Sequence, residues 1–193
     1  MMFIDGKQRN SFSSLWAERG LETSRLLLRP PKLSDARQMF SYARDERVAR
    51  YVLWDAHRHL GDSRKHLWDL IIGNFTGQTQ QYSVIEKASG LMIGTAGFVR
   101  FDKDNQMGEI GYSLGYDYWG KGYAKELLSA LLRHGFTRLS LERIEGLTDA
   151  RNEASARVML ACGMREEGYL RGCMMLKGVR VDVRLFAKLR SDV

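Results

Sequence analysis

The chain has little cysteine: Cys162 and Cys173 are the only two among 193 residues. That is too few for the disulfide framework that holds small secreted domains together. Cys162 lies in the apolar run Val158–Cys162 and reads as a buried, reduced thiol. No second Cys or His stands at ligand spacing from it, and His57-x-His59 is too sparse a pair, so no metal site is read. Long apolar runs are missing as well, and no stretch approaches the length that spans a bilayer. The N-terminus carries Asp5, Lys7, Arg9 and Asn10 where a secretory signal needs an apolar core. The expectation is a cytoplasmic protein with no membrane partner. Proline occurs only as Pro30-Pro31, and there is no linker, repeat or low-complexity stretch. Runs of Lys and Arg are absent too. The net charge of +7 is scattered, with no aromatics interleaved among the basic residues. The charge favours an anionic partner such as a polyphosphate cofactor, ribosome or nucleic acid, but no nucleic-acid surface is written in it.

What is present is ordinary globular composition, 44% hydrophobic and 27% charged. The length suits one α/β domain with a substantial core. Residues 1–20 are polar apart from Leu15-Trp16 and read as an extension ahead of a domain over 21–193. Leu26-Leu27-Leu28, stopped by the prolines, reads as a strand. Ser34-Asp35 then reads as the N-cap of a helix carrying Ala36, Met39, Phe40 and Ala43. A second helix is expected over 63–75. Strands at 81–86, 91–99 and 107–114, joined by tight turns, form a meander. The pattern then changes to strand–helix–strand. A helix over 122–139 places Leu127, Leu128, Leu131, Leu132 and Phe136 on one face, and a strand follows at 143–148. A helix over 153–162 is expected to turn Ala154, Val158, Ala161 and Cys162 inward, before last strands at 164–170 and 180–189. Together these make one mixed α/β sheet with helices packed on it.

The informative segment is Leu114–Ala124, Leu-Gly-Tyr-Asp-Tyr-Trp-Gly-Lys-Gly-Tyr-Ala, between a strand and an amphipathic helix. Its glycines let backbone approach a ligand closely, and the first amides of the helix have no intrahelical acceptor. With the helix dipole and Lys121 they make a phosphate site. Gly115-x4-Gly120-Lys121-Gly122 comes within one residue of a nucleotide-binding P-loop. Position 122 is glycine, which lacks the hydroxyl that ligates Mg²⁺ there, and a meander precedes the loop instead of a parallel sheet.

Trp119-Gly120-Lys121-Gly122-Tyr123-Ala124 instead resembles the phosphate loop of the GNAT N-acetyltransferase superfamily, Gln/Arg-x-x-Gly-x-Gly/Ala, with Trp in the first position. It is most similar to the RimJ/RimL-type ribosomal-protein N-terminal acetyltransferases. The same order of motifs supports this: Leu21–Arg29, Glu109-Ile110-Gly111-Tyr112, Arg143-Ile144-Glu145, Asn152-x-x-Ser155, Cys162-Gly163-Met164 and Glu167-Gly168. The resemblance covers about residues 21–189. It implies a single domain with a mostly antiparallel sheet of six to seven strands and about four helices, using acetyl-CoA as co-substrate. It also implies that backbone amides of Trp119, Gly120, Lys121, Gly122, Tyr123 and Ala124 hold the pyrophosphate. The strand edge ending at Leu114 would pair with the pantetheine arm, and an amide near Leu114 would meet the oxyanion. Asn152 and Ser155 would meet the thioester end, although Asn152 also suits a plain helix N-cap.

Many relatives place a proton-donating Tyr in the helix after the Asn, where this chain has Met159. Ser155 is then the donor to the leaving thiolate. The RimL-like glutamate after the Glu-Gly strand is here Met174, so that role does not transfer; Glu109, acting through a water, is the candidate base, and it reads equally well as a solvated or salt-bridged strand carboxylate. His57 is a candidate for the acceptor pocket. The acceptor implied is a protein N-terminal α-amine. A small amine such as a polyamine is the alternative, and an acidic acceptor pocket would favour it. A CoA-binding sensor or an RNA- or ribosome-associated module are further readings, and a homodimer is left open.

Overall fold

Alternating and continuous apolar runs become eight strands in the computed structural model, which describes residues 20–193. The extension read at residues 1–20 therefore lies outside the described residues apart from Gly20. The strands are β1 (Leu21–Glu22), β2 (Leu26–Arg29), β3 (Gln80–Glu86), β4 (Met92–Asp102), β5 (Met107–Leu114), β6 (Arg143–Asp149), β7 (Arg165–Leu176) and β8 (Val179–Leu189). They form one sheet in the order β1-β2-β3-β4-β5-β6-β8-β7, in which only β5 and β6 are parallel. The helices are α1 (Ala36–Ala43), α2 (Glu46–Ala49), α3 (Leu60–Phe75), α4 (Tyr123–Thr137) and α5 (Glu153–Ala161). The mixed α/β class, the β3-β4-β5 meander and the strand–helix–strand order of β5, α4 and β6 are as expected, and the structure adds that β5 and β6 pair in parallel. The strand and helix counts rise through the two-residue β1 and the one-turn α2.

Two apolar layers cover the sheet. Leu127, Leu128 and Leu131 of α4 pack with Ile93, Phe98, Ile110, Ile144 and Phe186, while Met39 and Tyr42 of α1 and Leu67 of α3 pack with Ile85 and Met92. Consecutive residues Met92 and Ile93 go one to each layer, so the layers lie on opposite faces. Burial of β3 and most of β4 on both faces follows from this and explains their unbroken apolar character.

Three local expectations are corrected. Asp35 stands at the N-cap of α1 as read, but its side chain makes no cap hydrogen bond, because its carboxylate is drawn to the Arg29 guanidinium by two hydrogen bonds of 2.7 and 2.8 Å and to Ser83 Oγ at 2.9 Å. α5 buries Ala156 and Met159, with Val158 and Cys162 half-buried, and leaves Ala154 and Ala161 exposed. The last strands extend further than expected and form a long β7–β8 hairpin, turning at Lys177 and Gly178, both with positive φ.

β5 and β6 pair only from Met107↔Arg143 to Ile110↔Gly146. Beyond that point β5 stays with β4 as far as Leu114, and β6 stays with β8 as far as Asp149. The sheet therefore splays into a V between two parallel strands.

Candidate active site

The splay leaves one edge of β5 without a partner strand over residues 111–114. Gly115 N–H donates to Ile93 O on β4 at 2.8 Å. Backbone groups alternate along a strand, so the N–H and C=O of Leu114 and Tyr112 turn the other way, into the V. The Leu114 carbonyl is already occupied, since it accepts from Trp119 Nε1 at 2.8 Å. This explains the tryptophan in the first loop position: its indole folds the loop back onto the strand end. The Leu114 N–H remains, aimed into the cleft.

The loop then delivers its amides. Gly120 and Gly122 have φ of +71° and +79°, the left-handed region in which a side chain is costly. Between Gly120 and Lys125 no backbone N–H meets a protein acceptor among the described residues, and Glu126 N–H is the first to bond back, to Gly122 O at 3.1 Å. Such a run at a helix N-terminus is an anion site. Lys121 is exposed beside it, its Nζ 5.5 Å from the Tyr118 ring centre.

Two residues that were not singled out from the sequence hold this loop still. Glu126 accepts from Thr23 Oγ1 (2.6 Å), Ser24 Oγ (3.0 Å), Arg25 N–H (2.8 Å) and Arg25 Nε (2.6 Å). Burial works against its charge, but these hydrogen bonds from Thr23, Arg25 and Ser24 win and hold its carboxyl down at about 2. Arg25 also donates to Lys121 O at 2.9 Å and lies over the Tyr123 ring. The β1–β2 turn thus fastens the start of α4. A glutamate in the first turn of that helix was the only sequence signal, and it reads equally well as a dipole partner.

On the far side of the V, α5 begins directly after β6. Asn152 caps it, its Oδ1 accepting Ser155 N–H at 3.2 Å. The capping reading of Asn152 therefore holds, and its Nδ2 stays unused by the described residues. Ser155 Oγ lies 3.0 Å from Tyr112 Oη, across the opening from β5. Met159, one turn along, is 2% exposed and belongs to the core beneath β6. A Cβ on Gly146 would come within 2.7 Å of Met159 Sδ, so the helix approaches this closely only because residue 146 is glycine.

Glu109 is on the other face of the sheet. It differs by three positions from Tyr112, and its carboxylate pairs with Arg100 Nε at 3.0 Å. The base and acid candidates thus flank β5 from opposite sides. His57 is not brought together with the rest. It is buried between α2 and α3, with its Nδ1 2.8 Å from Ser63 Oγ and its ring against Trp54 and His66. Burial lowers its pKa, slightly offset by Asp62.

The segment over α2 roofs the V. Arg47 lies 3.5 Å over the Tyr116 ring, beyond the end of β5. Arg50 and Arg151 flank the Tyr51 ring at 5.1 and 5.9 Å, and Lys177 Nζ donates to Ala49 O at 2.7 Å, both beyond the end of β6.

A ligand that fits here needs a peptide-like arm to pair with a strand edge and a pyrophosphate to take up unpaired amides. Coenzyme A thioesters have both, so the residues present fit acetyl-CoA, and the protein is of the acyl-CoA-binding transferase class. The sequence profile of the Acetyltransferase (GNAT) domain matches residues 25–165. The uncharacterized N-acetyltransferase p20 of Bacillus licheniformis is 34% identical over 172 residues, covering 89% of this chain and 97% of that protein. The spermidine N(1)-acetyltransferase of Vibrio cholerae is 23% identical over 168 residues, covering 87% and 95%. The solved structure of RimL, a ribosomal L7/L12 α-N-protein acetyltransferase in complex with coenzyme A, superposes with a TM-score of 0.78 at 22% identity, covering 86% and 95%. The chain belongs to the GNAT acetyltransferase family and is an acetyl-CoA-dependent N-acetyltransferase. No described helix is long and apolar enough to cross a membrane.

Proposed function

We propose that the acceptor is the α-amino group of a protein or peptide N-terminus, as the resemblance to the RimJ/RimL type implies. The observation that carries this reading is the arginine-lined roof of the V. Arg47, Arg50 and Arg151 stand at its mouth, and the two acids among them, Asp45 and Asp149, are tied to Arg47 and Arg151 at 2.6 Å each, so the group keeps a net positive charge. A polyamine needs free carboxylates to hold its several charges, and here Asp45 and Asp149 are already taken up by arginines. The modest base supports the same choice. Glu109 acts only through water and is paired with Arg100. At pH 7 about a tenth of α-amines, with pKa near 7.7–8.0, are already neutral, against about one in 2,500 lysines.

In this reading the amides from Gly120 to Ala124 hold the pyrophosphate, without the expected Trp119 N–H, which donates to Tyr116 O at 3.0 Å; the edge at Tyr112 and Leu114 holds the pantetheine arm, and Asn152 Nδ2 donates to it. Leu114 N–H donates to the carbonyl oxygen as charge develops there. Glu109 removes the amine proton through water, and Ser155 faces the leaving sulfur. His57, turned into its buried cluster, is given no part in the chemistry.

Release of CoA thiol is to be measured with peptides bearing a free α-amine, N-terminally blocked peptides with an internal lysine, and spermidine. The free α-amine peptides should turn over fastest, and Glu109→Gln should cut their kcat roughly 10²-fold. Faster turnover of spermidine or of internal lysine would refute the reading.

A further inference from the structure

A serine hydroxyl is a weak acid, and the phenol that many relatives bring from the helix is replaced in this chain by Met159, buried in the core. A phenol nevertheless reaches Ser155 from the opposite wall. Tyr112 projects from the unpaired part of β5, and its hydroxyl meets Ser155 Oγ at 3.0 Å across the V. Both residues stand where the strands have separated, one on the strand whose free edge faces the ligand and one in the first turn of α5. Ser155 N–H is taken by Asn152, so the Ser155 side chain is held on a fixed helical turn.

We infer that Tyr112 is a positioning residue that makes Ser155 a proton donor: its phenol donates to Ser155 Oγ, which leaves the serine hydrogen aimed into the cleft at the thioester sulfur. This rests on the placement of acetyl-CoA proposed above. As the amine nitrogen bonds to the acetyl carbon, the C–S bond breaks and its electron pair goes to sulfur. The sulfur takes the hydrogen of Ser155, and Ser155 takes that of Tyr112. The proton given up by the amine returns to the Tyr112 oxygen through solvent, so no charge is left behind. The direction of donation follows from acidity, since a phenol gives up its proton more readily than an aliphatic alcohol. Burial pushes the Tyr112 hydroxyl up to about 12, against the Ser155 hydrogen bond, so it carries its proton throughout the neutral range. The titratable neighbour that acts on it is Cys162, the C-cap residue of α5, whose thiol is itself pushed up by burial.

The test uses CoA itself and needs no acceptor. In a Cys162→Ser, Cys173→Ser background, the ionisation of bound CoA is followed by ultraviolet thiolate absorbance against pH. A hydrogen aimed at the sulfur stabilises the thiolate, so Ser155→Ala and Tyr112→Phe should each raise the pKa of the bound thiol by about one unit. The double variant should show no larger shift than either single one. With the best peptide acceptor, Tyr112→Phe should lower kcat roughly ten-fold or more while KM for acetyl-CoA stays within about two-fold. A Tyr112→Phe protein with the wild-type thiol pKa and kcat overturns the inference, as does a rise in KM that adds to the effect of Ser155→Ala, which marks a purely structural role. Failure to bind CoA at this loop would instead remove the ligand placement itself, and is visible before any variant is made.

Discussion

Gly120 allows the loop's geometry to be tested separately from its stability. Its φ is +71° and a Cβ there would meet nothing within 4 Å, so Gly120→Ala introduces conformational strain without a clash. An L-residue in the left-handed region costs about 1–2 kcal/mol. The free protein relieves that strain by turning the peptide away, and acetyl-CoA must then restore it on binding. At about 1.4 kcal/mol per ten-fold, the Kd should rise about five- to thirty-fold. The control is Gly77, just past the end of α3, with φ of +69° and again nothing within 4 Å. Gly77→Ala carries the same strain far from the loop. Gly77→Ala, whose strain stays in the fold, should lower the Tm by about 2–8 °C, at about 2–4 °C per kcal/mol for a chain of this size, and Gly120→Ala, whose strain is relieved in the free protein, should lower it by less. Only Gly120→Ala should weaken acetyl-CoA in an isothermal titration. If Gly120→Ala binds acetyl-CoA as tightly as the wild type, or if Gly77→Ala weakens it equally, the amides of this loop do not hold the pyrophosphate.

Stability should fall with acid through two half-buried histidines. Burial holds His66 and His134 at about 4, aided at His66 by His57 and at His134 by Arg138, against an unfolded value near 6.5. The unfolded chain binds more protons between those values, so this stability is intact above about pH 6.5 and is lost as pH falls toward 4, by about 2 kcal/mol for each histidine at pH 5. Urea unfolding at pH 7.5 and pH 5 checks this, and His134→Gln should show a smaller pH difference than the wild type; an unchanged difference refutes it. Asn152 separates capping from binding. Asn152→Ala should cost about 1 kcal/mol of stability, whereas Asn152→Asp keeps the capping oxygen and stays within about 0.5 kcal/mol of the wild type. Both lose the Nδ2 donor, so both should weaken acetyl-CoA, and full affinity in Asn152→Asp would remove that contact from the site.

The sequence alone specified the loop, because its chemistry is local. Glycines at 120 and 122 permit left-handed backbone, the apolar face of α4 fixes where the helix starts, and the amides between them need only their own geometry to become an anion site. The meander and the crossover were legible for the same reason: period-two and period-3.6 patterns are written within single segments. Side-chain roles that depend on distant partners were not. Asp35 looked like a cap until Arg29 and Ser83 competed for it, and α5 turned Met159 inward because Gly146 of β6 left room for it. His57 looked like a pocket residue until Ser63, Trp54 and His66 enclosed it. Glu126 gained its meaning from the β1–β2 turn, about a hundred residues away in the chain. Tyr112 and Ser155 are 43 residues apart, and nothing in either segment announces the other. Their meeting depends on where β5 and β6 part, and that point is set by competition between β4, β6 and β8 for hydrogen bonds across the sheet, which only the assembled sheet decides.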